Sequence, residues 1–187
     1  MNTRLDIIIG PMFSGKSFEL IRRIRLLKIL EKKYLVIKPK IDDRYTKNNV
    51  ICTHNYDREE CIQVKNLYDS IEPNNDFNYD TIFIDEAQFF SDLKEFVLYV
   101  LEKKKINVVL AGLDGDFMRK PFGQVLELIP FSDTCVKKNA LCKMCKDGTH
   151  ALFSHRLSKI NGEQVLVGST EIYTPVCRKH YVELNSI

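Results

Sequence analysis

The chain alternates between short, continuous apolar runs and longer stretches in which apolar residues recur every three or four positions. The short runs end at glycine, proline or aspartate, which is typical of buried strands. They lie at Leu5–Ile9, 34–37, Thr81–Ile84 and 107–113. Helical spacing is found at 16–31, at 93–101 and at about 123–131. Because strands alternate with helices, the pattern predicts right-handed βαβ units and an α/β fold with a parallel sheet.

The pattern changes after Pro130. Cysteines, short β-like runs at 151–157 and 163–167, and a loop rich in Gly, Ser and Thr follow. Such a segment does not continue a series of βαβ units, so we expect a separate, smaller lobe. The predicted division is a first domain of residues 1–133 and a second lobe of residues 134–187.

The turn after the first strand carries the pattern Gly-x-x-x-x-Gly-Lys-Ser and opens the first predicted helix. It consists of Gly10, Pro11, Met12, Phe13, Ser14, Gly15, Lys16 and Ser17. Glycines let the backbone approach phosphates closely, and successive N–H groups at a helix N-terminus hold the anion. Lys16 is expected to contact the β- and γ-phosphates, and Ser17 to bind Mg²⁺. The motif therefore predicts a nucleoside triphosphate site.

Two adjacent carboxylates end the strand Thr81–Ile84. Asp85 stands where an acid that holds Mg²⁺ is expected after a phosphate loop, directly or through water. Glu86 follows and can accept a proton from an attacking hydroxyl group or water. Either acid alone is typical of a solvated strand end, but the pair together with the phosphate loop favours transfer chemistry.

The second lobe contains two C-x-x-[CH] motifs. They supply three thiolates and one imidazole, from Cys142, Cys145, Cys177 and His180. A tetrahedral Cys₃His set is typical of a structural Zn²⁺ site with no open position for catalysis. His150 and His155 are alternative fourth ligands, but the spacing favours His180. Buried free cysteines are the alternative to a metal site.

The balance of charged residues and the pattern of apolar runs narrow the classes of function and the expected location. The chain has 28 basic and 25 acidic residues, a balance that does not favour nucleic-acid or membrane binding. No apolar run approaches the ~20 residues that span a bilayer. The N-terminal segment lacks the pattern of a signal peptide, so we expect a cytoplasmic protein (in the host cytoplasm if the source is viral) without disulfides.

Taken together, these motifs resemble the type II thymidine kinase family from about Leu5 to Tyr181. The matching segments are IIGPMFSGKS at 8–17, DDRY at 42–45, IDEAQFF at 84–90 and LDGDFMRKPFG at 113–123, followed by the paired metal-ligand motifs. In that family a RecA-like P-loop domain binds ATP and Mg²⁺, and a small zinc-binding lobe carries a lasso loop over the nucleoside. The resemblance therefore implies transfer of the ATP γ-phosphoryl group to the 5′-hydroxyl of thymidine, and also of deoxyuridine.

The resemblance also implies roles for individual residues. Glu86 corresponds to the general base on the 5′-hydroxyl. The ATP-binding set is completed by Arg44, Asp85 and Gln88, and the Mg²⁺ set is Ser17, Asp42 and Asp85. The residues that resemble the nucleoside site are Met12, Phe89, Leu113, Phe117, Phe122, Ser154, Val165, Val167, Gly168 and Tyr173. For the aromatic members of this set, ordinary core packing is the alternative.

The resemblance further implies a homotetramer and feedback inhibition by thymidine triphosphate.

Two other enzyme classes share a P-loop. A RecA-like ATPase acting on nucleic acid needs a basic, aromatic-laced face, which the charge balance does not supply. A nucleoside monophosphate kinase needs a lid with several arginines, whereas Arg22, Arg23 and Arg25 lie on the first predicted helix. A non-catalytic nucleotide-binding module has no need of Glu86 beside Asp85.

Overall fold

The fold is built around one six-stranded sheet. The computed structural model describes residues 3–40, 50–52, 58–71, 77–157 and 172–185. The strands of the sheet are β1 (Leu5–Ile9), β2 (Tyr34–Pro39), β5 (Ile62–Val64), β6 (Thr81–Ile84), β7 (Asn107–Gly112) and β8 (Thr134–Lys137). Their order across the sheet is β5-β2-β6-β7-β1-β8, and every neighbouring pair is parallel. The predicted α/β class with a parallel sheet is therefore confirmed.

Shorter elements complete the chain. The remaining strands are β3 (Val50–Cys52), β4 (Arg58–Glu60), β9 (Ala140–Leu141), β10 (His150–Ala151), β11 (Phe153–Arg156) and β12 (Tyr173–Val176). They form antiparallel pairs, β3 with β4, β9 with β10 and β11 with β12. The helices are α1 (Lys16–Ile29), α2 (Leu93–Tyr99) and α3 (Arg178–Asn185), with 3₁₀ segments at Leu67–Ser70, Ala87–Phe89 and Val125–Phe131.

The sheet is covered on both faces because successive strand residues point in opposite directions. On one face Ile7, Ile84 and Leu110 pack with residues of α2, including Phe96. On the other face the strand residues pack against α1, which buries Leu20, Ile21 and Ile24. Each such side chain contributes about 1.5–3 kcal/mol when removed from water. Burial on both faces explains why the strands read as continuous apolar runs.

Two predicted helices differ in detail. The helix predicted at 93–101 begins at Leu93 but continues through a π-helical segment, Val100–Lys104, and ends where Lys105 adopts a φ of 57°. The segment predicted at 123–131 is a 3₁₀ helix that contains Pro130, whose ring nitrogen has no hydrogen to donate. Within the described ranges, the helices lack the combination of length and apolar character that a bilayer span requires.

The edge strand β8 was not predicted as part of the sheet. It lies after the predicted division between residues 133 and 134, yet it pairs with β1 from Asp6–Thr134 to Ile9–Lys137. Half-exposed residues such as Val136 dilute its apolar pattern. The main sheet therefore extends to Lys137, and we propose that the smaller lobe begins after it.

A separate, small core lies in this C-terminal part. It contains Ala140, Ala151, Val176 and Tyr181 together with Cys142 and Cys177. Phe13, from the loop after β1, packs against it, as does Phe153 of β11. The two lobes are thus in contact at the loop that carries the phosphate-binding motif.

Gly123 offers a test of how closely the backbone packs near the end of β7. Its φ is 59°, and an added Cβ would lie 2.2 Å from the carbonyl oxygen of Gln88. At Gly148, φ is 90° and no atom lies within 4 Å of an added Cβ. We expect Gly148→Ala to lower the free energy of unfolding by about 1 kcal/mol through backbone strain alone. Gly123→Ala should cost at least about 3 kcal/mol, because a backbone clash adds to the strain.

Urea denaturation of both variants measures the difference. Equal losses at the two positions would show that the Gln88 carbonyl yields to the added methyl group without cost, contrary to this expectation.

Candidate active site

The chemically important segments meet at one edge of the sheet. The loop of residues 10–17 follows β1, Asp85 and Glu86 follow β6, and Leu113 follows β7. Since these strands are parallel and β7 lies between β6 and β1, their carboxyl ends lie side by side. In open α/β sheets this edge is where ligands bind.

The loop after β1 depends on its first glycine for a reason that the motif does not reveal. Gly10 has a φ of 144°, and an added Cβ would lie 2.2 Å from the carbonyl oxygen of Lys138. The Lys138 N–H donates to the Ile9 carbonyl oxygen at 2.8 Å, so the chain leaving β8 lies against the loop. Gly15 has a φ of 77° with no atom near an added Cβ, so its requirement is conformational.

The two functional side chains of this loop point inward. The Lys16 ammonium is buried and donates to the Pro11 carbonyl oxygen at 2.7 Å. The Ser17 hydroxyl donates to the Asp85 carboxylate, with Oγ 3.0 Å and 3.2 Å from its two oxygens. The sequence predicted that Ser17 and Asp85 share one site, and they are in direct contact.

Negative charge is concentrated beside Asp85. Burial and the neighbouring Glu86 carboxylate raise the pKa of Asp85 to about 7, although the Ser17 hydrogen bond opposes the shift. Burial lowers the pKa of Lys16, while the carboxylates of Glu86 and Asp85 favour its charged form. Hard oxygen donors that carry negative charge and lie close together are suited to Mg²⁺.

Glu86 is held in a rarely populated backbone conformation. Its φ is 50° and its ψ is 40°, which places it in the left-handed region that residues other than glycine seldom adopt. The Gln88 side-chain amide donates from Nε2 to Glu86 Oε2 at 2.6 Å. At its other end, Gln88 Oε1 accepts from the Leu113 N–H at 3.0 Å. Strain of this kind is typical of functional sites, where neighbouring groups fix an unfavourable geometry.

Gln88 was predicted to bind phosphate. Its side chain is 3% exposed, and both ends of its amide are engaged by Glu86 and by the backbone after β7. The geometry therefore favours a role in orienting Glu86.

The predicted nucleoside residues fall into two groups. Phe89 and Phe122 pack edge to face with ring centroids 5.3 Å apart, and Leu113 is buried at the end of β7. On the other side, the hydroxyl of buried Ser154 accepts from the Met12 N–H at 2.9 Å. This bond ties β11 directly to the phosphate-binding loop.

Tyr173 and Phe117 are the other described members of the set. Tyr173 is buried on β12, opposite Arg156 of β11. The Arg156 guanidinium lies over the Phe117 ring, 5.0 Å from its centroid. Five predicted residues, Asp42, Arg44, Val165, Val167 and Gly168, lie outside the described residues.

The four predicted metal ligands form a compact cluster. Their ligand atoms all lie within 4.8 Å of one another. His180 Nδ1 lies 3.3–3.5 Å from the three sulfur atoms, and the sulfurs of Cys145 and Cys177 are 3.8 Å apart. Around a tetrahedral zinc, sulfur ligands are about 3.8 Å apart, and sulfur and nitrogen ligands about 3.5 Å. The donor set and its spacing therefore fit Zn²⁺.

Electrostatics around the cluster also favour a cation. Burial acts to raise the pKa of Cys142, but N–H groups of Cys145, Cys177 and Met144 outweigh it and lower the value to about 6. Burial and the adjacent sulfurs raise the pKa of Cys145 to about 11. Three thiolates so close together require a positive charge between them.

The alternative histidine ligands have other neighbours. His150 Nδ1 lies 3.5 Å from the Asn139 amide, and His155 Nδ1 lies 3.3 Å from the Asn185 amide. Within the described ranges, neither belongs to a group of ligands that could hold a metal.

Comparison with known proteins gives the family. A family model described as thymidine kinase matches residues 3–181. The thymidine kinase of vaccinia virus (strain Western Reserve) is 42% identical over 179 residues, which is 96% of this chain and 97% of the relative. The chain belongs to the thymidine kinase family. The thymidine kinase of vaccinia virus (strain Ankara) is 43% identical over 95% of this chain and 96% of the relative. The thymidine kinase of variola virus is 42% identical over 96% of this chain and 97% of the relative.

Some contacts near the site could not be read from the motifs. Phe13, inside the phosphate-binding loop, adopts a φ of 64° and packs against the core of the second lobe. Tyr181 follows the last metal ligand, and its hydroxyl donates to the Phe117 carbonyl oxygen at 2.7 Å. The only signal for Tyr181 in the sequence is its position next to His180.

The Cys₃His cluster yields a test of ligand identity. We expect one zinc per chain in the wild type and in His180→Cys, because a thiolate can replace the imidazole in a tetrahedral site. His180→Ala should lose most of its zinc, whereas His155→Ala should retain it. Elemental analysis of the purified proteins measures the metal content. If His180→Ala kept its zinc and His155→Ala lost it, the assignment of His180 as the fourth ligand would be wrong.

Proposed function

We propose that the chain transfers the γ-phosphoryl group of ATP to the 5′-hydroxyl of thymidine, and also of deoxyuridine, to give the nucleoside monophosphate. The observation that carries the proposal is the position of Glu86, which lies directly beside the Ser17–Asp85 pair and is oriented by Gln88. A site for nucleotide binding alone has no use for a second carboxylate held in a strained conformation. Family membership supplies the acceptor.

On the donor side, residues 10–17 bind the ATP phosphates. Successive N–H groups of the loop and the N-terminus of α1 face the anion, and Lys16 adds a positive charge. Ser17 and Asp85, which are in direct contact, would hold Mg²⁺. The pKa of Asp85 is raised in part by the neighbouring Glu86 carboxylate, and a bound cation would offset this repulsion. When bound, the ion neutralises charge on the phosphates. Arg44 and Asp42 are proposed to assist there on resemblance alone.

On the acceptor side, Glu86 accepts the proton of the 5′-hydroxyl. The nucleoside oxygen forms a bond to the γ-phosphorus as the bond to the β-phosphate oxygen breaks, and ADP leaves. Gln88 donates to Glu86 Oε2, so the other oxygen of the carboxylate is directed to the hydroxyl. Phosphoryl transfer depends largely on positioning and electrostatics, so the orientation of this carboxylate matters in addition to its capacity to accept the proton.

The acceptor pocket is proposed to lie between the two lobes. Leu113, Phe89 and Phe122 form its apolar wall at the sheet. Met12, Phe117, Ser154 and Tyr173 are proposed to face it from the phosphate-binding loop and the smaller lobe, with Val165, Val167 and Gly168 of the lasso. Such a pocket binds a flat base chiefly through apolar contact and needs few polar side chains.

Other properties are proposed from family membership alone. They are a homotetrameric assembly, feedback inhibition by thymidine triphosphate, and a cytoplasmic location. A structural Zn²⁺ at the Cys₃His cluster is proposed from the spacing of its ligand atoms as well.

The decisive experiment is a panel of acceptors incubated with γ-labelled ATP and Mg²⁺. The panel contains thymidine, deoxyuridine, deoxycytidine, a purine deoxynucleoside and thymidylate. We expect label on thymidine and deoxyuridine and not on thymidylate or free phosphate. Label transferred to thymidylate would indicate a monophosphate kinase, and label released only as phosphate would indicate an ATPase.

Replacement of the proposed base separates chemistry from binding. Glu86→Gln preserves size and the contact with Gln88 but cannot accept a proton. We expect kcat to fall by about 10²–10⁴-fold, as for loss of a general base, while the affinity for ATP·Mg²⁺ changes little. Single-turnover kinetics and nucleotide titration measure the two effects.

The matched control is Glu102→Gln, which removes one carboxylate from an exposed position beyond α2. It should leave kcat unchanged. A Glu86→Gln enzyme with a kcat close to that of the wild type would remove Glu86 from the mechanism.

A further inference from the structure

Tyr181 connects the metal cluster to the proposed acceptor pocket. It follows the ligand His180 on α3 and is 2% exposed. Its ring packs with that of Phe153, at a centroid distance of 5.0 Å, within the small core of the second lobe. Its neighbour in sequence, His180, belongs to the Cys₃His cluster, so the backbone of Tyr181 is tied directly to that cluster.

The hydroxyl of Tyr181 reaches out of this core to the other lobe. It donates to the Phe117 carbonyl oxygen at 2.7 Å. The Arg119 guanidinium, from the same loop as Phe117, lies over the Tyr181 ring, 4.5 Å from its centroid. Arg119 adopts a φ of 64°, in the left-handed region. Cation–π contacts of this kind are strongest where water is excluded.

The loop that Tyr181 contacts is internally braced. The Asp116 carboxylate accepts from the N–H groups of Met118 and Lys120, at 2.8 Å and 2.9 Å. An isolated bridge joins Gly115 to Pro121. These contacts brace residues 115–121, and Phe122 follows directly, so an anchor at Phe117 is expected to restrain Phe122 as well.

We propose that Tyr181 is a positioning residue for the nucleoside. It holds residues 115–121 against the metal-binding lobe, so that the metal cluster sets the place of Phe117 and Phe122 beside the base. The inference rests on the proposed function, since it assumes that these two rings face the acceptor. In this way the metal cluster affects the affinity for the nucleoside without any contact between metal and substrate.

The test is Tyr181→Phe, which removes one hydroxyl and keeps the ring that packs on Phe153. We expect KM for thymidine to rise by about three- to tenfold, the effect of losing one buried hydrogen bond. KM for ATP and kcat should change by less than about twofold, because the donor loop keeps its own contacts with the second lobe. Zinc content should remain one per chain.

A second measurement does not depend on turnover. Hydrogen–deuterium exchange of the peptide covering residues 113–123 should be faster in Tyr181→Phe than in the wild type. The matched control is Tyr68→Phe, at a tyrosine whose ring packs on Phe96 of α2, with the centroids 5.4 Å apart. The control should change neither the exchange of this peptide nor KM for thymidine.

The outcomes are distinguishable. Unchanged exchange in Tyr181→Phe would overturn the inference, and so would faster exchange with an unchanged KM for thymidine. A rise in KM that is accompanied by loss of zinc would overturn it too, because the effect would then come from the metal cluster itself. If the wild type does not phosphorylate thymidine, the proposed function fails, and the exchange measurement alone decides whether Tyr181 holds the loop.

Discussion

The parallel pairing of β6, β7 and β1 is the constraint on which the rest of the molecule depends. It places the carboxyl ends of three strands at one edge of the sheet. Ser17 and Asp85, 68 positions apart in sequence, therefore lie within hydrogen-bond distance. The pairing is supported from both faces, by α1 on one side and α2 on the other. A site assembled on rigid strand ends is held more accurately than one assembled on loops alone.

Accuracy at this edge is accompanied by local instability. Asp85 is buried next to a second carboxylate, and Glu86 occupies a backbone conformation that favours glycine. Neither arrangement favours folding, so the surrounding hydrophobic layers must offset both. Active sites commonly have this character, because groups arranged to stabilise a charged reaction complex are poorly matched to one another in its absence.

The sequence predicts the parts of the site that follow from local chemistry. A buried strand that ends in Asp85 has to deliver that side chain to the carboxyl edge, and two ligand pairs with fixed spacing have few partners except each other. The edge strand β8 escaped because its exposed residues obscure the apolar pattern. The contacts of Gln88, Ser154 and Tyr181 were not predicted from the sequence for another reason. Each joins residues 25, 142 or 64 positions apart, and such contacts depend on tertiary geometry that periodicity and spacing do not encode.

The two halves of the metal cluster lie far apart along the chain, and this has a consequence for the unfolded protein. A metal that joins Cys145 to Cys177 closes a loop of roughly 30 residues, which in a disulfide would remove about 3–4 kcal/mol of chain entropy from the unfolded state. The core of the second lobe is small, so such a cross-link would provide a large share of its stability. Metal supply during synthesis would then determine how many chains mature, in addition to how well each one works.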